Sequence, residues 1–176
     1  MIETKRLKLR SLVRNRDPLL DDRTNIISYL KTDEGLVNIL GIDSDLEDDA
    51  EYFLNHYVCK REGTIRRDID GDVRVIEKHG KFIGLVEIGV DGLPWENCFI
   101  WVIESERRLG YATEVLSAFL SYIFEVHNSI RMVRFICKDT NLEAKKLASK
   151  MGLDLVEDYR EDWTHVWGIE NPNEEV

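Results

Sequence analysis

The stretch Ile100-Trp101-Val102-Ile103-Glu104-Ser105-Glu106-Arg107-Arg108-Leu109-Gly110-Tyr111-Ala112-Thr113-Glu114 joins an apolar run, a short charged turn and a helix that opens at a glycine. The run Cys98 to Ile103 is continuous and short, as in a central strand covered on both faces. Beyond Gly110, Val115, Phe119, Tyr122, Ile123 and Val126 recur at helical spacing, with Leu116 and Leu120 widening the stripe, so the spacing predicts a helix over Tyr111 to Val126. Such a helix presents unpaired N–H groups and the positive end of its dipole to whatever lies at its start, which makes an anion site. Gly110 removes a side chain that would block a phosphate, and small Ala112 lets a second group approach. Arg107 and Arg108 add positive charge beside them. An ordinary strand-to-helix turn with a solvated arginine pair fits the same residues, and both readings stand at this point. The pattern is neither G-x-G-x-x-G nor G-x-x-x-x-G-K-[ST], which excludes the dinucleotide fingerprint and the P-loop.

Outward from this segment, alternation at Arg6 to Leu12 reads as a half-buried strand, and Asp72 to Glu77 with Phe82 to Val90 as an antiparallel hairpin about His79-Gly80. Helices are expected over Asp21 to Leu30, Asp33 to Leu40, Asp45 to Lys60 and Asn141 to Met151, the last stopped by Gly152. Strands are expected over Ile130 to Cys137, Leu153 to Val156 and Thr164 to Ile169. Antiparallel strands followed by a β-α-β-α-β run give an α/β (α+β) fold. The expected architecture is a mixed, mostly antiparallel sheet of about six to seven strands with helices on both faces. With 176 residues the chain is read as one domain over residues 1–170, with a tail at 171–176.

Composition narrows the function classes. Lys+Arg number 24 and Asp+Glu 34, a formal charge of −10, which argues against nucleic acid or an anionic membrane as partner and allows cationic ones such as amines. No run approaches a membrane span, and the basic N-terminus has no apolar segment behind it, so a cytoplasmic location is expected. Cys59, Cys98 and Cys137 are scattered, as are His56, His79, His127 and His165, so no disulfide framework and no metal site is predicted.

Arg107-x-x-Gly110-x-Ala112 resembles the [QR]-x-x-G-x-[GA] motif of the GNAT superfamily, the CoA-dependent N-acetyltransferases. Trp101 before it and Tyr111-Ala112-Thr113-Glu114 within it are similar to the branch containing ribosomal-protein alanine N-acetyltransferases. The opening Ile2-Glu3-Thr4-Lys5-Arg6-Leu7-Lys8-Leu9-Arg10 resembles that branch's first strand, and Asn141-x-x-Ala144 with Gly152-Leu153 resembles the family's second signature. The likeness runs from about residue 2 to residue 155 in the family's order and spacing.

The resemblance implies direct transfer of an acetyl group from acetyl-CoA to a primary amine, a protein N-terminus or a small molecule, without a metal. It implies a fourth strand splayed from the fifth, so that pantetheine pairs with main chain as an added strand would. Here that places Val102 and Ile103 against pantetheine, and the N–H groups among Arg108, Leu109, Gly110, Tyr111, Ala112 and Thr113, beside Arg107, on the pyrophosphate. Asn141 would contact the pantetheine arm, and Lys145 or Lys146 the 3′-phosphate, against the plainer reading of a solvated helix face. An ammonium must lose a proton before it attacks, so a base is required. Glu96 falls where many relatives carry a carboxylate, with Glu87 and Glu104 as further candidates; each also reads as a surface or ion-paired carboxylate. The acceptor wall would be Asp21 to Lys60, whose cluster from Asp43 to Glu51 suits a cation. Two departures matter: the family's tyrosine acid is replaced by Ala148 and the branch's serine by Ala144. They keep open a CoA-binding regulatory or scaffold domain that has lost catalysis. Dimers are common in this branch, so a homodimer is possible.

Overall fold

Burial alternates at Arg6 to Leu9, as the sequence predicts, but runs unbroken from Phe82 to Ile88, and strands of both kinds build one eight-stranded sheet. The computed structural model describes residues 1–13, 21–30, 32–33, 72–89, 95–127, 129–159 and 164–173. The strands are β1 (Ile2–Glu3), β2 (Lys8–Ser11), β3 (Asp72–Lys78), β4 (Lys81–Ile88), β5 (Trp95–Val102), β6 (Met132–Lys138), β7 (Asp154–Tyr159) and β8 (Thr164–Glu170). Their order across the sheet is β1-β2-β3-β4-β5-β6-β8-β7, and every neighbouring pair is antiparallel except β5 with β6. The sheet is mixed and mostly antiparallel as expected, with eight strands rather than six or seven; the two-residue β1 is too short to show an alternation of its own.

Three helices are described: α1 (Asp22–Leu30), α2 (Tyr111–Val126) and α3 (Leu142–Lys150). Helix α2 keeps the bounds its periodicity predicts and buries Val115, Leu116, Phe119, Leu120, Ile123 and Phe124. At about 2 kcal/mol for each large side chain taken from water, this stripe is a major part of the core. The helices expected over Asp33 to Leu40 and Asp45 to Lys60, with the acidic cluster Asp43 to Glu51, lie outside the described residues, apart from Asp33 itself.

The register assigns the two faces. On one, Ser11, Arg74, Val86 and Ile100 stand in line across β2 to β5, and Arg74 meets α2 through the Tyr122 hydroxyl, which it reaches at 3.1 Å. On the other, Leu85 and Trp101 are opposite one another, and α1 covers them with Tyr29, whose ring lies 5.9 Å from Phe82 and 5.5 Å from Trp101. Arg10 ties α1 to this face through Asp22 at 2.6 Å and also bonds Glu77 at 2.8 Å. A Cβ at position 84 would stand 2.2 Å from the Trp101 carbonyl oxygen, so β4 and β5 approach this closely only because residue 84 is glycine.

Asn171 lies inside the fold rather than in the tail expected from 171 onward: it is buried, its N–H donates to the Arg131 carbonyl at 2.7 Å and its side-chain amide to that of Ile130 at 2.9 Å. Among the described residues no helix is long and apolar enough to cross a membrane.

Candidate functional site

The sheet opens between β5 and β6. Among the described residues their parallel pairing covers Trp95 with Met132, Glu96 with Val133 and Asn97 with Arg134. Beyond it, among the described residues, β5 continues to Val102 beside β4 alone, and β6 to Lys138 beside β8 alone. On β5 the N–H of Ile103 donates to Ile83 on the β4 side, and the carbonyl of Asn97 accepts from Gly89 there. Antiparallel alternation therefore turns the main chain of Asn97, Phe99, Trp101 and Ile103 toward β4, and that of Ile100 and Val102 into the gap. This revises the expectation for the strand edge: Val102 borders the opening, whereas Ile103 has its N–H on Ile83 and its carbonyl on the Glu106 N–H. Ile100 takes its place.

At the end of β5 a 3₁₀ turn, Glu104–Glu106, leads to Arg107, and two residues in the left-handed region follow, Arg108 at φ 63° and Gly110 at φ 81°. Gly110 is the N-cap of α2. Glycine suits it because the left-handed region imposes no side-chain clash there. Among the described residues, the main-chain N–H groups of Arg108, Leu109, Gly110, Tyr111, Ala112 and Thr113 have no protein acceptor; the first inward bond of the helix is Glu114 N–H to the Gly110 carbonyl, at 3.2 Å. Six consecutive N–H groups, running from the exposed turn at Arg108 and Leu109 into the first residues of α2, can hold an anion.

The two arginines of the turn divide. Arg107 turns inward: its Nε donates to the Val102 carbonyl at 2.8 Å and its Nη2 to Asp33 at 2.5 Å. Asp33 is buried and also accepts the indole N–H of Trp101 at 3.2 Å. Arg107 is thus committed to joining the loop to the residues just after α1, and Arg108, exposed and without an ion pair among the described residues, is the cation of the turn. The sequence did not single out Asp33 for this role, nor the three residues that hold the loop from below. Thr4 and Arg6 both bond Glu114 of α2, and Arg6 also bonds the Leu109 carbonyl. Burial tends to raise the Glu114 carboxyl, but hydrogen bonds from Thr4 and Arg6 outweigh it and hold the group below its ordinary value. The only signal in the sequence was the Thr4-x-Arg6 pattern, whose partner lies more than a hundred residues away.

The remaining candidates are dispersed around the opening. Glu87 is buried on the α1 face of the sheet, opposite Phe99. Glu96 pairs through its backbone with Val133 where β5 and β6 still touch, and its side chain lies outside the described residues. Glu104 is exposed in the 3₁₀ turn, on the loop rather than on the strand. Asn141 is the N-cap of α3: its Oδ1 accepts the Ala144 N–H at 3.0 Å, leaving the amide NH₂ to point elsewhere. Lys145 is paired with Asp139, which also contacts His165 at 3.0 Å, while Lys146 stands exposed, 3.4 Å from Glu143. Cys98 is buried, and burial, then the nearby Glu87, push its thiol upward, so it behaves as core. Ala148 is buried, and neither it nor Ala144 carries a proton-donating group. Among the described residues no three His, Cys, Asp or Glu side chains converge as metal ligands.

An open strand edge leading into a row of free N–H groups is built to take an extended amide-bearing chain that ends in an anion. The sequence model described as acetyltransferase (GNAT) domain matches residues 6–154. No curated protein matches the chain in sequence. Solved structures share its fold. The chain superimposes on the spermidine N-acetyltransferase from Vibrio cholerae, in complex with CoA and spermine, with a TM-score of 0.73 at 17% identity, covering 94% of this chain and 96% of that one. An acetyltransferase from Agrobacterium tumefaciens gives 0.69 at 18% identity over 96% and 93%. The ribosomal L7/L12 α-N-protein acetyltransferase RimL, in complex with coenzyme A, gives 0.69 at 11% identity over 97% of each chain.

Proposed function

The chain belongs to the acetyltransferase (GNAT) domain family, and from that premise we propose that it moves an acetyl group from acetyl-CoA directly to a primary amine, either a protein N-terminus or a small-molecule amine. The observation that carries the reading is the edge formed by the Ile100 main chain and the Val102 N–H, unpaired among the described residues, running into the N–H groups of Arg108 to Thr113. Acetyl-CoA bound there supplies the acetyl group as an activated thioester. The Ile100 main chain and the Val102 N–H, the Val102 carbonyl being held by Arg107, offer partners to the pantetheine amides, and the turn N–H groups with Arg108 receive the diphosphate. Asn141, its oxygen committed to capping α3, has its amide NH₂ for a pantetheine carbonyl, and Lys146 is the exposed cation for the 3′-phosphate. Arg107 works from behind, fixing the turn to Asp33 and to β5.

The amine reaches the reaction as an ammonium and must lose a proton to a carboxylate. Glu87, buried on the face that α1 covers, and Glu96, at the point where β5 and β6 part, are the two candidates. An amine acceptor is in keeping with the spermidine and ribosomal-protein N-terminal acetyltransferases that share the fold. The protein works in this reading as one cytoplasmic catalytic domain, with no metal in the chemistry. The absence of a hydroxyl at Ala144 and Ala148 supports a second reading, a CoA-binding regulatory domain without turnover.

Thermal shift with acetyl-CoA and with CoA tests the cofactor: both should raise Tm of the wild type, and Gly110→Trp should abolish the rise. Thiol release across a panel of polyamines, amino sugars and N-terminal peptides then separates enzyme from binder. Acceleration by one class, reduced at least about a hundredfold in Glu87→Gln or Glu96→Gln, identifies the base. Stabilisation by CoA without thiol release from any amine supports the regulatory domain; no stabilisation at all removes the CoA reading.

A further inference from the structure

We propose that Arg6 is a positioning residue for the anion-binding turn, aiming the Gly110 N–H outward by holding the Leu109 carbonyl inward. This rests on reading that turn as the diphosphate site. In a trans peptide the carbonyl of one residue and the N–H of the next point to opposite sides. Arg6 Nη1 donates to the Leu109 oxygen at 3.0 Å, so the Leu109–Gly110 peptide is locked with its N–H on the side away from Arg6. The φ of 81° at Gly110 leaves this peptide free to rotate once that bond is lost, because glycine tolerates either sign of φ.

The guanidinium is itself held. Glu114 Oε2 accepts from Arg6 Nε at 2.6 Å, and Oε1 accepts from the Arg6 main-chain N–H at 2.8 Å and from the Thr4 hydroxyl at 2.6 Å. The Arg6 guanidinium carbon lies 4.5 Å from the Tyr111 ring centroid, and Lys78, paired with Glu106, lies 5.1 Å from the same ring. Its Nη2 is 3.6 Å from where a Cβ on Gly110 would stand. The arrangement also answers a problem of charge. Glu114 sits in the first turn of α2, where an uncompensated carboxylate would repel a diphosphate, and both of its oxygens are taken up by Thr4 and Arg6. A lysine cannot reproduce the fork, because one ammonium would have to serve Glu114 and Leu109 in two directions.

The test is calorimetric titration of wild type, Arg6→Lys and Arg6→Ala with two probes, CoA and pantetheine, the second lacking the diphosphate. Arg10→Lys, which breaks a comparable fork onto Asp22 and Glu77 on the other face of the sheet, controls for lost stability. The expected result is a loss of at least about tenfold in CoA affinity for Arg6→Lys, less than about twofold for pantetheine, and a KM for acetyl-CoA raised with kcat nearly unchanged. Arg10→Lys should lower Tm and leave CoA binding within about twofold. CoA binding by Arg6→Lys and Arg6→Ala equal to wild type overturns the proposal, as does an equal loss for both probes, which would mark a general structural role. Failure of the wild type to bind CoA would remove the functional reading first and this inference with it.

Discussion

Asp33 shows how much one buried carboxylate decides in this protein. Its oxygen accepts the Trp101 indole and the Arg107 guanidinium together, so it ties the residues after α1 to the end of β5 and to the start of the turn. Arg107 was legible as a motif residue, but its partner was not. Nothing in the local pattern around Asp33 marks it, since an aspartate after a helix reads equally well as a solvated cap. Asp33→Asn keeps the shape and removes the charge, leaving Arg107 without its counter-ion. The half-open position of Arg107 moderates the cost, and a loss of about 1–2 kcal/mol in urea-unfolding free energy is expected. The same variant should weaken CoA binding, because Arg107 would be free to leave the Val102 carbonyl. An unchanged unfolding midpoint would show that Asp33 does not bear on the turn.

At the scale of elements, α2 depends on what caps it from outside its own sequence. Its periodicity gave both of its ends, because a strong apolar stripe and a glycine are local signals. The bonding of its first turn to Thr4 and Arg6 depends on bringing β1 and β2 against it, which no local signal carries. Glu114 is held below its ordinary carboxyl value when folded. A group with a depressed native value stabilises the fold above its unfolded value, and that contribution is lost as pH falls through the native one. Wild type should therefore melt above Glu114→Gln at neutral pH, with the gap closing as pH drops below the ordinary carboxylate range. Calorimetry at a series of pH values measures this; a gap that persists in acid would show that Glu114 acts through packing alone.

For the whole molecule, the partly opened sheet is the dominant feature. Strands β1 to β5 and strands β6 to β8 are joined across a ladder of three residue pairs, with α2 and α3 spanning the same side. A ligand that pairs with Ile100 and Val102 closes that seam. Acetyl-CoA at a hundred times its dissociation constant should add about 2.7 kcal/mol to the stability of the protein. Amide hydrogen exchange should locate the gain: the Ile100 and Val102 amides and those of Arg108 to Thr113 slow with CoA, while the β3–β4 hairpin is unchanged. Uniform slowing over all strands would argue against a ligand seated in the seam.

The sequence by itself determined the elements that have a period and a stop: the β3–β4 hairpin, α2, α3 and the strand–turn–glycine–helix on which the proposed anion site is placed. Such signals are local, set by side-chain spacing and by the few residues that tolerate a left-handed turn. It also carried the family pattern, and with it the expected chemistry. Only the tertiary structure decided which main-chain groups face the opening, since that depends on the register of β5 against β4 and moved the edge from Ile103 to Ile100. Likewise it turned Arg107 inward to Asp33 and set Arg6 and Glu114 against the turn. Those contacts join residues far apart in the chain, and their geometry exists only once the sheet has been assembled.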